Sequence, residues 1–313
     1  MSPTAPGTGA SAVSTAGAVP VTAAVPARRP STWRRFREQP AAVLALALFA
    51  VVALVALGAP WLYPGSPWRM VGRPLIEPLS QARFPLGTDM LGRDIAAGLV
   101  HGARASLLVG LASTGLALLI GVPLGALAGY AGRRVDVALS TLIECFQTIP
   151  QFAMAVVLVA IVGPSVSTIV VAISVVSWPP VARLVRAEIL SLRERDFVIA
   201  ARVAGESGWR ILLAHVLPNA AAPIIVCASF MVATAMLTEA ALAFLGLGDA
   251  RLMSWGFMLG AARTMVRETW WMSLWPGLAL MLTVLSINVA AEGLQHALQP
   301  AGGQRGGTAE SLE

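Results

Sequence analysis

The chain has 313 residues, of which 57% are hydrophobic and only 12% are charged. Its mean hydropathy is +0.74, and since an ordinary soluble domain carries about 25% charged residues, this composition indicates a membrane protein. All 22 basic residues are arginine, which excludes a P-loop lysine, a Schiff-base lysine and a lysine nucleophile from this chain. Any ATP that drives its activity must be hydrolysed by another protein.

The formal net charge of +6 comes from short arginine blocks beside apolar segments. This pattern is typical of orientation in a lipid bilayer and does not indicate a nucleic-acid partner. Residues 1–26 are almost entirely Ala, Ser, Thr, Gly, Val and Pro, a composition that buries too little surface to fold. We therefore expect residues 1–40 to form a disordered Ala/Ser/Pro-rich tail followed by a basic cytoplasmic segment.

The first apolar run covers residues 41–59 and contains no charge. As a helix it would span about 28 Å, which matches the hydrocarbon core of a bilayer. A secretory signal peptide has a shorter apolar region and a cleavage site of small residues, and this run fits that description poorly. We expect an uncleaved anchor, so that residues 41–103 comprise the first transmembrane helix and an outer loop.

Five further apolar runs follow. Together with the first, the expected spans are residues 41–59, 106–130, 137–162, 166–181, 216–247 and 272–291. The sequence thus predicts an all-α, polytopic integral membrane protein with six transmembrane helices, a core over residues 104–293 and a cytoplasmic tail over residues 294–313. Gly121, Gly125 and Gly129 repeat at four-residue spacing in the second span, a pattern that allows close helix packing.

The arginines also predict the orientation of these spans. In the six-span arrangement, fourteen arginines lie on the side of the two termini and eight lie on the opposite side. Cytoplasmic segments carry the excess of basic residues. Both termini are therefore expected in the cytoplasm.

The loop at about residues 183–215 is too long to be a simple turn, and two short helices fit it. The first carries one aromatic and three small residues at helical spacing, namely Phe197, Ala200, Ala201 and Ala204. Gly205 can then end that helix in the left-handed conformation. Two interpretations are open from these residues: the small face fits a cleft on a partner, or the helices form a solvated hairpin lying on the bilayer.

This loop resembles the EAA loop of ABC importer permeases. The family pattern is Glu-Ala-Ala, three residues, Gly, nine residues, Ile, one residue and Leu-Pro. Here Ala200-Ala201, Gly205 and Leu217-Pro218 match it with the same spacing. Two residues depart from the pattern: Ile199 stands where the family has Glu, and His215 stands where it has Ile.

Six further blocks resemble the C-type subunit of the dipeptide/oligopeptide/nickel permeases. They are residues 86–94, 102–107, 121–125, 182–186, 191–195 and 239–248. The resemblance covers roughly residues 30–300, and several ordered blocks are more specific than one loop. The chain is therefore identified as a member of the binding-protein-dependent permeases of bacterial ABC importers.

The resemblance implies a type I ABC importer permease fold in the bacterial cytoplasmic membrane. It implies that this chain forms half of a translocation path with a homologous B-type permease, for di- or oligopeptides delivered by an extracytoplasmic binding protein. Two cytoplasmic ATPases would hold the ATP and magnesium, so no catalytic site, cofactor or metal is expected on this chain. Nickel or another small solute is the alternative cargo.

The resemblance also implies which residues couple this chain to the ATPases: Arg193, Asp196, Phe197, Ala200, Ala201, Gly205, Trp209, Arg210, Leu217 and Pro218. Separately, polar residues inside spans are costly and are candidates for the pathway or a gate. These are Glu239, Glu144, Gln147 and Asn288. A hydrogen bond between helices is an equally good interpretation of Glu239. An ion-driven secondary transporter is less favoured, because the chain shows no inverted repeat.

Overall fold

The computed structural model of the protein describes residues 32–298. Of the predicted tail and basic segment over residues 1–40, residues 1–31 lie outside the described part of the chain, as do the terminal residues 299–313, whereas Thr32–Arg37 form a short helix. Within residues 32–298 the structure is helical, and the only strand-like pairings are two isolated bridges in the segment before the second long helix. The all-α prediction is confirmed.

The helices follow one another in this order: α1 (Thr32–Arg37), α2 (Pro40–Leu62), α3 (Ile95–Tyr130), α4 (Arg133–Gln147), α5 (Gln151–Val162), α6 (Val166–Leu192), α7 (Asp196–Val203), α8 (Gly208–Ile211), α9 (Leu217–Leu242), α10 (Trp255–Ala262) and α11 (Trp270–Leu298). Two π-helical turns flank α9, at Leu212–Val216 and Ala243–Leu247.

Five helical stretches in the described residues are long and apolar enough to cross a membrane, and a sixth span exists if one bent pair is counted as a single crossing. That pair is α4 and α5, which meet at an angle of 78°. Pro150 lies at the bend. It lacks a backbone N–H and disfavours the helical conformation of Ile149, so an unbroken helix cannot pass through it. The structure therefore has five continuous candidate spans, and the bent pair takes the place of the predicted third span.

Three helices extend well beyond the predicted apolar runs. Helix α6 continues past the expected end at residue 181 to Leu192, α3 starts at Ile95 instead of residue 106, and α11 continues past residue 291 to Leu298. The start of α3 is capped by Asp94, whose side chain accepts a hydrogen bond from the Ala96 N–H at 2.9 Å. Burial raises the pKa of Asp94 above its ordinary value, although that hydrogen bond opposes the rise.

Helices α3 and α6 lie against each other along the predicted row of glycines. A Cβ at Gly121 would lie 2.8 Å from the carbonyl oxygen of Trp178, and a Cβ at Gly129 would lie 3.0 Å from that of Arg186. A Cβ at Gly125 would overlap the carbonyl oxygen of Ala182. The absence of side chains lets the two backbones touch, as small residues do between membrane helices. We call this contact the glycine seam.

The glycine seam predicts opposite outcomes for two substitutions on one helix. Gly125→Ala should destabilise the protein by about 1–3 kcal/mol, because the added methyl group forces two backbones apart. Gly115→Ala should cause no loss, since a Cβ there would meet no atom within 4 Å. The thermal unfolding midpoints of the two purified variants in detergent test this. Equal midpoints would show that the seam does not hold α3 against α6.

Candidate functional site

The loop predicted to couple to a partner is fixed to the end of α6 by one face of α7. Val198 is fully buried and Ala201 nearly so, and both pack in a cluster with Val185 and Ile189 of α6. The cluster also includes Ile211 beyond α7. The short helix is therefore held by apolar contacts along one side, which leaves its other side outward.

The outward face of α7 differs from the predicted one in one residue. Phe197, Ala200 and Ala204 are exposed as expected for a docking face, but Ala201 points inward and anchors the helix. Val203 is 84% exposed and Ile199 is also exposed. The exposed side of α7 therefore includes Ile199 and Val203 instead of Ala201. This makes it more apolar than the spacing predicted.

Gly205 ends α7 as predicted, with a backbone φ of +82°. The N–H of Gly205 donates to the carbonyl of Arg202 at 3.1 Å, and the N–H of Glu206 donates to that of Ala201 at 3.2 Å. These two bonds satisfy carbonyls at the end of the helix in the arrangement that favours glycine at this position. A Cβ on Gly205 would meet no atom within 4 Å, so the requirement for glycine is conformational and not steric crowding.

Sequence reasoning missed Glu206, which links the two halves of the loop. Its Oε2 lies 3.1 Å from Nε2 of His215 and 3.6 Å from Nε of Arg210. His215 occupies the family's apolar position within the first π-helical turn. The spacing of Glu206 and Arg210, four residues apart, was the available signal. The contact with His215 has no periodic signal, because Glu206 precedes α8 and His215 follows it, nine residues further along the chain.

Further residues predicted to couple to a partner lie on α7, on α8 and at the start of α9. Trp209 is exposed and lines a cavity of about 250 Å³ together with Tyr130 at the end of α3. Asp196 lies in the first turn of α7. Leu217 and Pro218 follow the first π-helical turn, within a helical stretch that runs from Gly208 to Leu247.

Hydrogen bonds from α6 and the residues after it connect the loop to the neighbouring helices. Nη1 of Arg193 donates to the carbonyl oxygen of Gly129 in α3 at 3.2 Å. Arg186 pairs with Asp136 of α4 through both carboxylate oxygens. Nη1 of Arg183 donates to Oε1 of Gln147 at 2.9 Å. The end of α6 is therefore tied to both α3 and α4.

The polar candidates within the spans fall at three separate places. Gln147 lies in the contact with α6 just described, whereas Glu144 is exposed on α4. Asn288 is half-buried on α11, and its Oδ1 is buried without a hydrogen-bond partner. The structure does not bring these residues together with Glu239.

Glu239 joins α9 to α10. It is 2% exposed, and its Oε1 accepts a hydrogen bond of 2.7 Å from Oγ of Ser254. The same Ser254 caps α10 by accepting the N–H of Phe257 at 3.0 Å. The next residue, Trp255, donates its backbone N–H to Ser106 of α3 at 3.2 Å. Oε2 of Glu239 is buried without a partner among the described residues.

Comparison with known families decides what kind of protein carries this loop. The family described as "Binding-protein-dependent transport system inner membrane component" matches residues 121–301, more than half of the chain. The "N-terminal TM domain of oligopeptide transport permease C" matches residues 31–75.

The chain belongs to this family of inner-membrane permeases.

Curated relatives agree with the assignment of this permease. The di/tripeptide transport system permease protein of Pseudomonas aeruginosa is 41% identical over 274 residues, covering 86% of this chain and 90% of that protein. The dipeptide transport system permease of Alkalihalophilus pseudofirmus is 38% identical with the same coverage. That of Bacillus subtilis is 34% identical, covering 86% of this chain and 84% of that protein.

Two crystal forms of the MetNI methionine ABC transporter in inward-facing conformations share the permease fold. Their TM-scores are 0.54 and 0.55 at 20% identity, covering 64% and 66% of this chain and 97% and 98% of those chains. This likeness confirms the predicted fold of an ABC importer permease. The protein is a multi-pass permease subunit of the bacterial inner membrane.

No group of three or more His, Cys, Asp or Glu side chains that could hold a metal ion occurs within residues 32–298. The polar groups of this permease instead connect helix to helix, as Ser254 and Arg183 do.

Substitution of Glu239 separates a structural role from a pathway role. Glu239→Gln should keep the thermal midpoint and transport, because the amide oxygen can still accept the Ser254 hydroxyl. Glu239→Leu should lower the stability by about 1–3 kcal/mol, since Ser254 loses its acceptor. Thermal midpoints and transport rates of both variants provide the measurement. Loss of transport by the stable Gln variant would show instead that the carboxylate contacts the cargo.

Proposed function

We propose that this permease forms half of the translocation path of an ABC importer for di- or oligopeptides. The relatives from P. aeruginosa and A. pseudofirmus carry di/tripeptide and dipeptide transport in their names and match this chain over 86% of its length. The C-type blocks of the sequence support a homologous B-type permease as the other half. An extracytoplasmic binding protein would deliver the peptide.

The observation that supports the coupling role is that α7 is buried on one side and exposed on the other. One side is locked to α6 through Val198 and Ala201, while the other exposes Phe197 and Val203. An exposed apolar helix face on a rigid support is suited to the groove of a partner. The partner here is one of two cytoplasmic ATPases that hold ATP and magnesium, since the permease itself has no lysine and hence no P-loop.

The excess of arginine on the side of the termini supports a cytoplasmic location for this loop and for both ends of the chain. Closure of the ATPase pair on ATP would then displace α7. Because α7 is packed on α6, and α6 lies on the glycine seam with α3, the displacement would tilt these helices together. The path would alternate between inward-open and outward-open states through rigid-body motion.

A pair of substitutions at Gly205 tests this coupling. Gly205→Val should lower peptide uptake about tenfold, because a β-branched residue opposes the left-handed conformation. Gly205→Asn should retain most of the uptake, since asparagine tolerates that conformation. Uptake of a labelled dipeptide by cells lacking their own permease measures the effect, with membrane insertion checked by immunoblot.

The same cells identify the partners. Purification of the tagged wild-type chain in mild detergent, followed by mass spectrometry, should recover a second permease and two lysine-bearing P-loop ATPases. The Gly205→Val variant should recover the second permease but less ATPase. Uptake that is normal in Gly205→Val would contradict the coupling role, and a wild-type chain that stays alone in several mild detergents would contradict the importer.

A further inference from the structure

A cavity of about 520 Å³ lies between α1, α2, α3, α9 and α11. Its walls are formed by large apolar side chains on four of these helices, among them Phe36, Phe49, Leu111 and Ile287. Leu46 and Leu111 are themselves exposed on the outer surface of the helix bundle. The cavity is therefore open toward the exposed apolar surface of these helices.

The chemistry of the cavity favours a hydrocarbon occupant. Of the described residues that line it, only Thr32 and Ser229 carry a hydroxyl group and none is charged. The Ser229 hydroxyl already donates to the carbonyl oxygen of Ile225 at 3.1 Å. A peptide would bring charged and amide groups that these walls leave unpaired, which is costly in an apolar site. The cavity is thus distinct in character from a peptide path.

The end of the cavity at α1 has the opposite chemistry. Thr32, Trp33 and Phe36 of α1 line the cavity, and this six-residue helix also carries Arg34, Arg35 and Arg37. Glu38 follows and forms an ion pair with Arg34 at 3.5 Å. With three arginines and one glutamate, residues 32–38 carry a formal net charge of +2. Trp33 is 62% exposed and stacks on Phe36 with ring centroids 5.9 Å apart, as expected of a tryptophan at the membrane interface.

We propose that this cavity binds one acyl chain of an anionic phospholipid whose phosphate lies against the arginines of α1. Arginine binds phosphate in a bidentate manner and is favoured for this contact. From Pro40 at the start of α2 to Phe49 on the cavity wall is about 14 Å along the helix, which is a depth that an acyl chain entering from the headgroup level can reach. The apolar walls and the arginines of α1, the helix that forms one end of the cavity, therefore match the two parts of one lipid.

Retention of lipid by the purified full-length permease, in the assembly that it forms, tests this site. Native mass spectrometry after delipidation and addition of phosphatidylglycerol or phosphatidylcholine should show selective retention of phosphatidylglycerol. Arg35→Gln with Arg37→Gln should weaken that retention about 30-fold. The exposed pair Arg133→Gln with Arg134→Gln is the matched control and should leave retention unchanged.

A second pair of variants tests the effect of filling the cavity with a larger side chain. Ala290→Phe places a ring among the lining residues, whereas Ala50→Phe places the same ring on the exposed surface of α2. The first should lose phosphatidylglycerol and the second should keep it, both with an unchanged thermal midpoint. Retention that is equal in the two variants would overturn the proposal, as would equal retention of phosphatidylcholine and phosphatidylglycerol by the wild type.

Cross-linking distinguishes a lipid from other occupants without relying on those variants. A photoreactive benzoylphenylalanine in place of Leu46 should form a product with phosphatidylglycerol in membranes. A product with a second permease polypeptide, or with residues 1–31 of this chain, would show that protein covers the cavity and would overturn the proposal.

Discussion

The glycine seam between α3 and α6 is the contact on which the rest of the structure depends. At Gly121, Gly125 and Gly129 the two backbones approach so closely that any side chain would collide with a carbonyl oxygen or a Cβ atom of α6. Packing, and not the hydrophobic effect, holds helices together inside a lipid bilayer. A contact along two turns of helix therefore fixes α3 and α6 as one body.

The proposed coupling loop is attached to this body at several points. Val198 and Ala201 pack on the end of α6, and Arg193 bonds the carbonyl of Gly129 at the last glycine of the seam. The pairs of α6 with Asp136 and Gln147 add α4 to the same unit. A force on α7 is thus transmitted to three helices at once.

Helix α9 is connected to this body differently. It begins and ends in a π-helical turn, and the second of these includes Gly246 with a φ of +86°. Such turns often mark functional positions within helices. Near its C-terminal end the buried Glu239 holds it to α10 through Ser254.

The apolar runs were sufficient to predict where the spans lie. The helical spacing before Gly205 was sufficient to predict that this glycine ends α7. The end of α6 was missed because Arg183 and Arg186 looked like the start of a loop. In the structure Arg183 donates a hydrogen bond to Gln147 of α4, and Arg186 forms an ion pair with Asp136 of the same helix. Those partners lie 36 and 50 residues away. Tertiary contacts of this kind leave no periodic pattern.

The inward turn of Ala201 was missed for a related reason. Spacing alone shows which residues share a face of α7, but the face that is buried depends on Val185 and Ile189 of a different helix. The bend between α4 and α5 was within reach of the sequence, because Pro150 after Ile149 is a direct signal for a helix break. The contact of Glu206 with His215 has no such signal in the sequence.

A distance measurement within the assembled transporter tests most directly whether α7, α6 and α3 move as one body. Spin labels at Arg202→Cys and Leu119→Cys occupy exposed positions on α7 and α3, and Arg202 lies outside the face proposed to dock on the ATPase. The native Cys145 and Cys227 are replaced by alanine, and uptake is confirmed. Double electron–electron resonance would compare the resting state with an ATP-trapped state. A rigid unit predicts the same distance distribution in both states, while labels between the two permeases change their separation. A shift of the Arg202–Leu119 distance by several ångströms on ATP binding would contradict the account.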